Sequence, residues 1–72
     1  MEKSLYTFHR ITPWKDEIIG IVARDLNHAL YIALINSPHI KRDDLIDTVP
    51  VEEEVNTGVR FHIKIGNPEY EG

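Results

Sequence analysis

The sequence has 72 residues, a formal net charge of −4 and no cysteine. A chain of this length folds as one domain, 1–72, and buries only about 60% of the surface that its unfolded form exposes, so its stability is marginal unless something reinforces it. Without cysteine, disulfide bonds and thiolate metal sites are excluded, and a reducing cytoplasm is the expected compartment. No signal peptide or membrane-spanning segment is expected from the sequence.

Two strands are predicted first. Ser4 to Thr12 is rich in β-branched and aromatic residues, and Glu17 to Ala23 is apolar on both faces, which is typical of a strand in the middle of a sheet. Pro and Asp within 12–16 favour a turn between them. Gly20 interrupts the second strand, which often marks the close approach of another backbone or side chain.

A helix is predicted from Leu26 to Asn36, with Asp25 as its N-cap and Pro38 just beyond its end. At about 100° per residue, its apolar residues form two stripes on opposite sides. One sheet covers one stripe, so packing against a second copy of the helix would cover the other. The alternative is that the segment after Pro38 folds back over it. The sheet-facing stripe comprises Leu26, Ala29, Leu30, Ala33 and Leu34, and the predicted interface comprises His28, Tyr31, Ile32 and Ile35.

The last third of the sequence predicts a β-hairpin. Asn56-Thr57-Gly58 connects the segments Val49 to Val55 and Val59 to Ile65, and Gly58 stands where a short loop needs a left-handed residue. Because Pro50 cannot donate to a ladder, the first strand is expected at a sheet edge. The predicted neighbours are Val55 with Val59, Glu54 with Arg60, Glu52 with His62, Val51 with Ile63, and Val49 with Ile65.

Together these elements predict an α+β fold: a small antiparallel sheet of about four strands, in β-β-α-β-β order, with one main helix packed on one face. A short helix from Lys41 to Ile46 is expected before the hairpin, with Ile40, Leu45 and Ile46 touching the core. Residues 66–72 are expected to fray. The predicted core comprises Leu5, Ile19, Ile21, Leu30, Leu34, Val51, Phe61 and Ile63.

The acidic excess lies in the second half, where four basic residues face eight acidic ones from Ser37 onward. This distribution disfavours non-specific binding to nucleic-acid backbones. It motivates the hypothesis that the acidic run Glu52, Glu53 and Glu54 binds a basic groove on another protein. The alternative is a solvated face that keeps the protein in solution. Trp14, in the first turn, either anchors a partner or folds onto the sheet as a lid.

No pattern in the sequence indicates catalysis. The four histidines lie at no zinc spacing, Ser4 and Ser37 stand alone and the glycines are dispersed, so no catalytic residue, metal or cofactor is expected. The sequence therefore predicts a small acidic protein-binding module that acts as a homodimer, or as an inhibitor or adaptor of another protein. The alternatives are a purely structural oligomer and single-stranded nucleic-acid binding through Arg60, His62 and Lys64, with Tyr6, Phe8 and Trp14 as stacking surfaces.

Overall fold

The computed structural model describes residues 2–66. The strands are β1 (Lys3–Ile11), β2 (Lys15–Ala23), β3 (Leu45–Val51) and β4 (Gly58–Gly66); the helix α1 (Leu26–Asn36) follows β2, and a 3-10 helix (Arg42–Asp44) precedes β3. All strand pairs are antiparallel, in the order β3-β1-β2-β4 across the sheet. The predicted α+β fold is confirmed. Of the predicted frayed segment, residues 67–72 lie outside the described residues.

The predicted hairpin between the last two strands is wrong. β3 pairs with β1 and β4 pairs with β2, so the two strands lie at opposite edges of the sheet. Residues 52–57 cross from one edge to the other. The hairpin of β1 and β2 offers two free edges, and each edge takes one of the later strands. The observed partners are Val49 with Leu5, Val51 with Lys3, Ile63 with Ile18, and Ile65 with Asp16.

Two local features of this region are confirmed although the hairpin is absent. Gly58 has a φ of 136° at the first position of β4, a conformation that L side chains rarely adopt. Pro50 lies in β3, which is an edge strand. Pro50 therefore lies at a sheet edge as predicted, and Gly58 has the predicted positive φ, but it follows the crossing connection 52–57 and does not close a hairpin.

The connection 52–57 is tied to the end of the sheet by two cations. The Nζ of Lys3 donates to the carbonyl oxygens of Glu53 at 2.9 Å and Val55 at 2.8 Å. Arg24, at the end of β2, forms an ion pair with the carboxylate of Glu53. These contacts hold the crossing segment where β1 begins and β2 ends.

The face of the sheet covered by α1 is called the helix side. The Asp25 carboxylate accepts a hydrogen bond from the backbone N–H of His28 at 2.8 Å, which confirms the N-cap. Ala29 and Ala33 are fully buried, and their small side chains let the helix backbone approach the sheet. The buried cluster comprises Tyr6, Phe8, Ile19, Ile21, Ala23, Ala29, Ala33 and Ile40.

The helix is rotated relative to the predicted orientation. Its buried line runs through Ala29 and Ala33, roughly 40° from the centre of the predicted stripe at 100° per residue. Leu34, predicted in the core, is therefore 39% exposed. Ile32, predicted on the uncovered face, is half-buried and packs against the core, as Leu30 does.

The strands also depart from the predicted core. Ile19 and Ile21 are fully buried as expected, but Ile63 is 48% exposed. In β1 the buried residues are Tyr6 and Phe8. Both faces of this strand carry apolar residues, so the sequence alone did not predict which face is buried. Three predicted core residues, Leu5, Val51 and Phe61, are half-buried on the opposite face of the sheet.

The segment after Pro38 does not cover the outer side of α1. Ile40 is 2% exposed and Leu45 packs against the core, but the helix there is limited to Arg42–Asp44. Ile46 was expected to touch the core and is 61% exposed. The chain extends into β3 at Leu45 because β1 offers an open ladder at that point.

Candidate interaction surfaces

The face of the sheet opposite α1 is called the open face, because α1 and the 3-10 helix both lie on the helix side. Side chains alternate along a strand, and paired residues of antiparallel strands point to the same face. The apolar residues of the open face are Leu5, Ile11, Ile18, Val22, Val49, Val51, Phe61, Ile63 and Ile65.

One end of the open face is strongly exposed. The exposed fractions are 67% for Ile11, 58% for Ile65 and 48% for Ile63. Ile11 and Ile65 are the two neighbours of Asp16 across the strands, so they flank one carboxylate at the sheet end. Together with the adjacent Ile18 and the tryptophan of the β1–β2 turn, these residues form the apolar patch: Ile11, Trp14, Ile18, Ile63 and Ile65.

The prediction that Trp14 is a core lid is wrong. Trp14 is 68% exposed and lies at the tip of the β1–β2 hairpin. Thr12 closes this turn: its backbone N–H donates to the Lys15 carbonyl at 2.9 Å, and its Oγ1 accepts from the Lys15 N–H at 3.1 Å. A turn held at both ends presents the indole outward at small conformational cost, which suits an anchor for a partner.

Within the open face, the ring of Phe61 lies over Gly20. A Cβ built on Gly20 would stand far inside contact distance of the Cε2, Cζ and Cδ2 atoms of that ring. The expected close approach of another group to Gly20 is confirmed. An aromatic ring that fills the space above a strand glycine restores packing that the missing side chain removes.

We expect Gly20→Ala to lower the free energy of unfolding by about 1–2 kcal/mol, because the Phe61 ring must leave its position. In a Phe61→Ala background the same change is expected to be neutral or stabilising, since alanine costs less backbone entropy than glycine. Urea denaturation of the two single variants and the double variant measures this coupling. Additive effects would show that the ring and the glycine do not depend on each other.

The predicted helix interface is exposed in part. Tyr31 and Ile35 are 64% and 65% exposed, and His28 is exposed, whereas Ile32 is half-buried. The helix contains no charged residue. Its outer strip measures roughly 16 by 10 Å from the helix rise and diameter, which is small for a self-association surface.

The acidic run lies in the connection 52–57, where its three residues are exposed. The hydrogen bond from Arg24 lowers the pKa of Glu53 although burial opposes this, and the positive charges of Arg24 and Lys3 add to the lowering. Glu53 is thus partly neutralised within the chain, and the run presents less free charge to a basic partner than its sequence indicates.

The basic residues of β4 do not form the continuous row that the nucleic-acid alternative needs. The register shifts between Gly20 and Ile21, which leaves Arg60 as the extra residue of a bulge. His62 is bonded to a carboxylate on the helix side. Two of the three proposed stacking residues, Tyr6 and Phe8, are buried in the core.

A buried polar cluster lies between β2, β4 and the end of α1. Glu17, 1% exposed, accepts hydrogen bonds from Ser37 Oγ at 2.6 Å and from His62 Nε2 at 2.6 Å. Burial raises the pKa of Glu17, but the hydrogen bonds from Ser37 and His62, together with Lys15, hold it below its ordinary value. The cluster joins three elements across the helix side.

The cluster does not have the geometry of a nucleophilic site. Ser37 and His62 both bind Glu17, so the serine hydroxyl has the carboxylate and not the imidazole as its partner. Glu17 was not among the site residues predicted from the sequence. Its parity with Ile19 and Ile21 in β2 was the available signal, because a carboxylate on the buried side of a strand needs partners.

Among the described residues, no group of three or more His, Cys, Asp or Glu side chains could hold a metal ion. In the same part of the chain, no helix has the length and hydropathy to cross a membrane. No protein-family model, curated protein or solved structure matches the chain. The surfaces and clusters described above therefore provide the basis for a functional proposal.

Proposed function

We propose that this chain is a small, non-catalytic protein-binding module that self-associates through the apolar patch. The supporting observation is the exposure of Ile11, Trp14 and Ile65, each more than half exposed, at one end of an apolar sheet face. The largest contiguous apolar patch on the surface of a domain is often a functional site. The patch spans three strands and the β1–β2 turn, roughly 14 by 16 Å from strand spacing and rise.

A second copy of the chain is the occupant that the surface favours. The exposed end of the open face can pack face to face against the same end of a second copy, and such a contact lies at the low end of interface areas, because Val22 at the other end is only 1% exposed. Asp16 is the charged residue that the apolar patch surrounds, whereas Lys3 and Asp47 of the same face lie farther along β1 and β3, so the patch offers little to a partner recognised by charge. Self-association also supplies the reinforcement that so short a chain needs.

We also propose that the module acts in the cytoplasm. One observation supports its non-catalytic character and another supports this compartment. The serine and histidine of the buried cluster are both engaged by Glu17, which leaves no activated nucleophile there. The absence of cysteine from the sequence suits a reducing compartment.

The test is light scattering across a protein concentration series, for the native chain and for Ile11→Lys with Ile65→Lys. We expect the native chain to form a dimer. The double variant is expected to raise its dissociation constant by roughly thirtyfold or more, because two charges enter an apolar contact. Both residues are more than half exposed, so the variant should fold. Circular dichroism and thermal melting are the measurements that check the folding of this variant.

Tyr31→Lys with Ile35→Lys is the matched control on the outer side of α1, with 64% and 65% exposure. This variant is expected to remain dimeric. Dissociation by the helix variant alone would instead assign self-association to the helix. A native chain that stays monomeric at millimolar concentration would contradict the proposal outright.

A further inference from the structure

The two edges of the sheet differ in how well they are closed. β3 has Pro50, which has no N–H to donate, and its register against β1 is irregular between Thr7 and Phe8. β4 spans nine residues without proline, and from Phe61 to Gly66 it pairs with β2 without irregularity. Its outer side faces no described strand. An edge of this kind is a template for strand addition.

The exposed cations of β4 limit what can pair with it. Arg60 and Lys64 are exposed, and neither forms an ion pair within the described part of the chain. Antiparallel pairing of β4 with β4 of a second copy, in the register centred on His62, would place Arg60 opposite Lys64, which is destabilising. An incoming strand with carboxylates would find them complementary.

The other side of β4 selects for apolar residues. Phe61, Ile63 and Ile65 point to the open face, so a strand added beside them would extend that face. Lys64 and His62 point to the helix side through their partners Glu17 and Ile19. Acidic side chains on the helix side and apolar side chains on the open face are therefore the pattern that fits.

We propose that the free edge of β4 binds an extended peptide segment in which acidic and apolar residues alternate. Main-chain hydrogen bonds to β4 supply the affinity, and Arg60 and Lys64 select the acidic residues. This site is separate from self-association, because it uses the edge of the sheet and not its face. It also accounts for exposed cations on a protein whose net charge is −4.

The test uses a fluorescent eight-residue peptide that alternates valine and glutamate, with a valine and lysine peptide as control. Binding is followed by anisotropy at low salt, and amide exchange identifies the strand that gains protection. We expect the glutamate peptide to bind more tightly and to protect β4. In Arg60→Glu with Lys64→Glu, its affinity should fall about tenfold and the preference should reverse.

Three outcomes would overturn this proposal: equal binding of both peptides, protection of β3 in place of β4, or retained affinity when alternate peptide amides are N-methylated. A single-stranded oligonucleotide is the third probe. If the oligonucleotide binds more tightly than the acidic peptide, and if its binding is lost in Arg60→Glu with Lys64→Glu, the edge is a nucleic-acid site. Light scattering of Arg60→Glu with Lys64→Glu should show unchanged self-association, which separates this test from that of the apolar patch.

Discussion

We expect Phe8→Ala to lower the free energy of unfolding by about 3–5 kcal/mol, the usual cost of removing a buried aromatic side chain. Phe8 is fully buried in the cluster between β1, β2 and α1. Its ring lies on the helix side, beside its cross-strand partner Ile19. A domain of this size has a total stability of roughly 4–11 kcal/mol, so the variant loses a large share of it.

Urea denaturation with circular dichroism measures this loss. Phe8→Leu should lose less than half as much, because it keeps most of the apolar volume. Ile46→Ala, at an exposed position of β3, should stay within about 0.5 kcal/mol of the native chain. If Phe8→Ala and Ile46→Ala cost the same, the core does not lie on the helix side.

The second large effect is expected at the buried cluster. Glu17→Ala should lower the free energy of unfolding by about 3 kcal/mol, because the buried Ser37 and the half-buried His62 both lose their hydrogen-bond partner. Ser37→Ala should cost about 1–3 kcal/mol, since the carboxylate keeps its bond from His62. Glu54→Ala, in the exposed connection, is the matched control and should be close to neutral.

The same cluster gives a pH dependence with a definite sign. The pKa of Glu17 in the folded chain is lowered from 4.5, so ionised Glu17 stabilises the folded state more than protonated Glu17 does. This stabilisation is fully present above the pKa of the unfolded chain and is lost as pH falls through the folded pKa. The stability difference between the native chain and Glu17→Ala should therefore shrink below pH 4.5. A difference that stays constant down to pH 2 would contradict this account.

Local features of this protein were predictable because they depend on a few neighbouring residues. Asp25 caps α1 through a bond to a residue three positions away, and Gly58 takes its left-handed conformation wherever the following strand goes. The two-sided apolar pattern of β2 indicated a central strand, and Pro50 indicated an edge. Each of these follows from propensity or backbone geometry within one element.

The candidate sites were less accessible. The sequence drew attention to the outer stripe of α1, whereas the apolar patch is assembled from the end of β1, the β1–β2 turn, β2 and β4. Trp14 was noted as an anchor or a lid, and its exposure in the folded chain supports the anchor. Glu17 lies on the same face of β2 as Ile19 and Ile21, and this spacing was the feature of the sequence that indicated its burial.

The sequence by itself determined the bounds of α1, how this helix is capped, the approximate positions of β1, β2 and β4, and that one helix packs on a four-stranded sheet. It did not determine β3, which was predicted as Val49 to Val55 and runs from Leu45 to Val51. Only the tertiary structure decided which strands are neighbours and which face of β1 is buried. β3 and β4 are joined by the six residues 52–57, and Gly58 begins β4, yet the two strands occupy opposite edges of the sheet. Strand neighbours are selected by the free energy of the whole sheet. The β1–β2 hairpin has two free edges, and the local sequence pattern does not determine which edge pairs with β3 and which with β4.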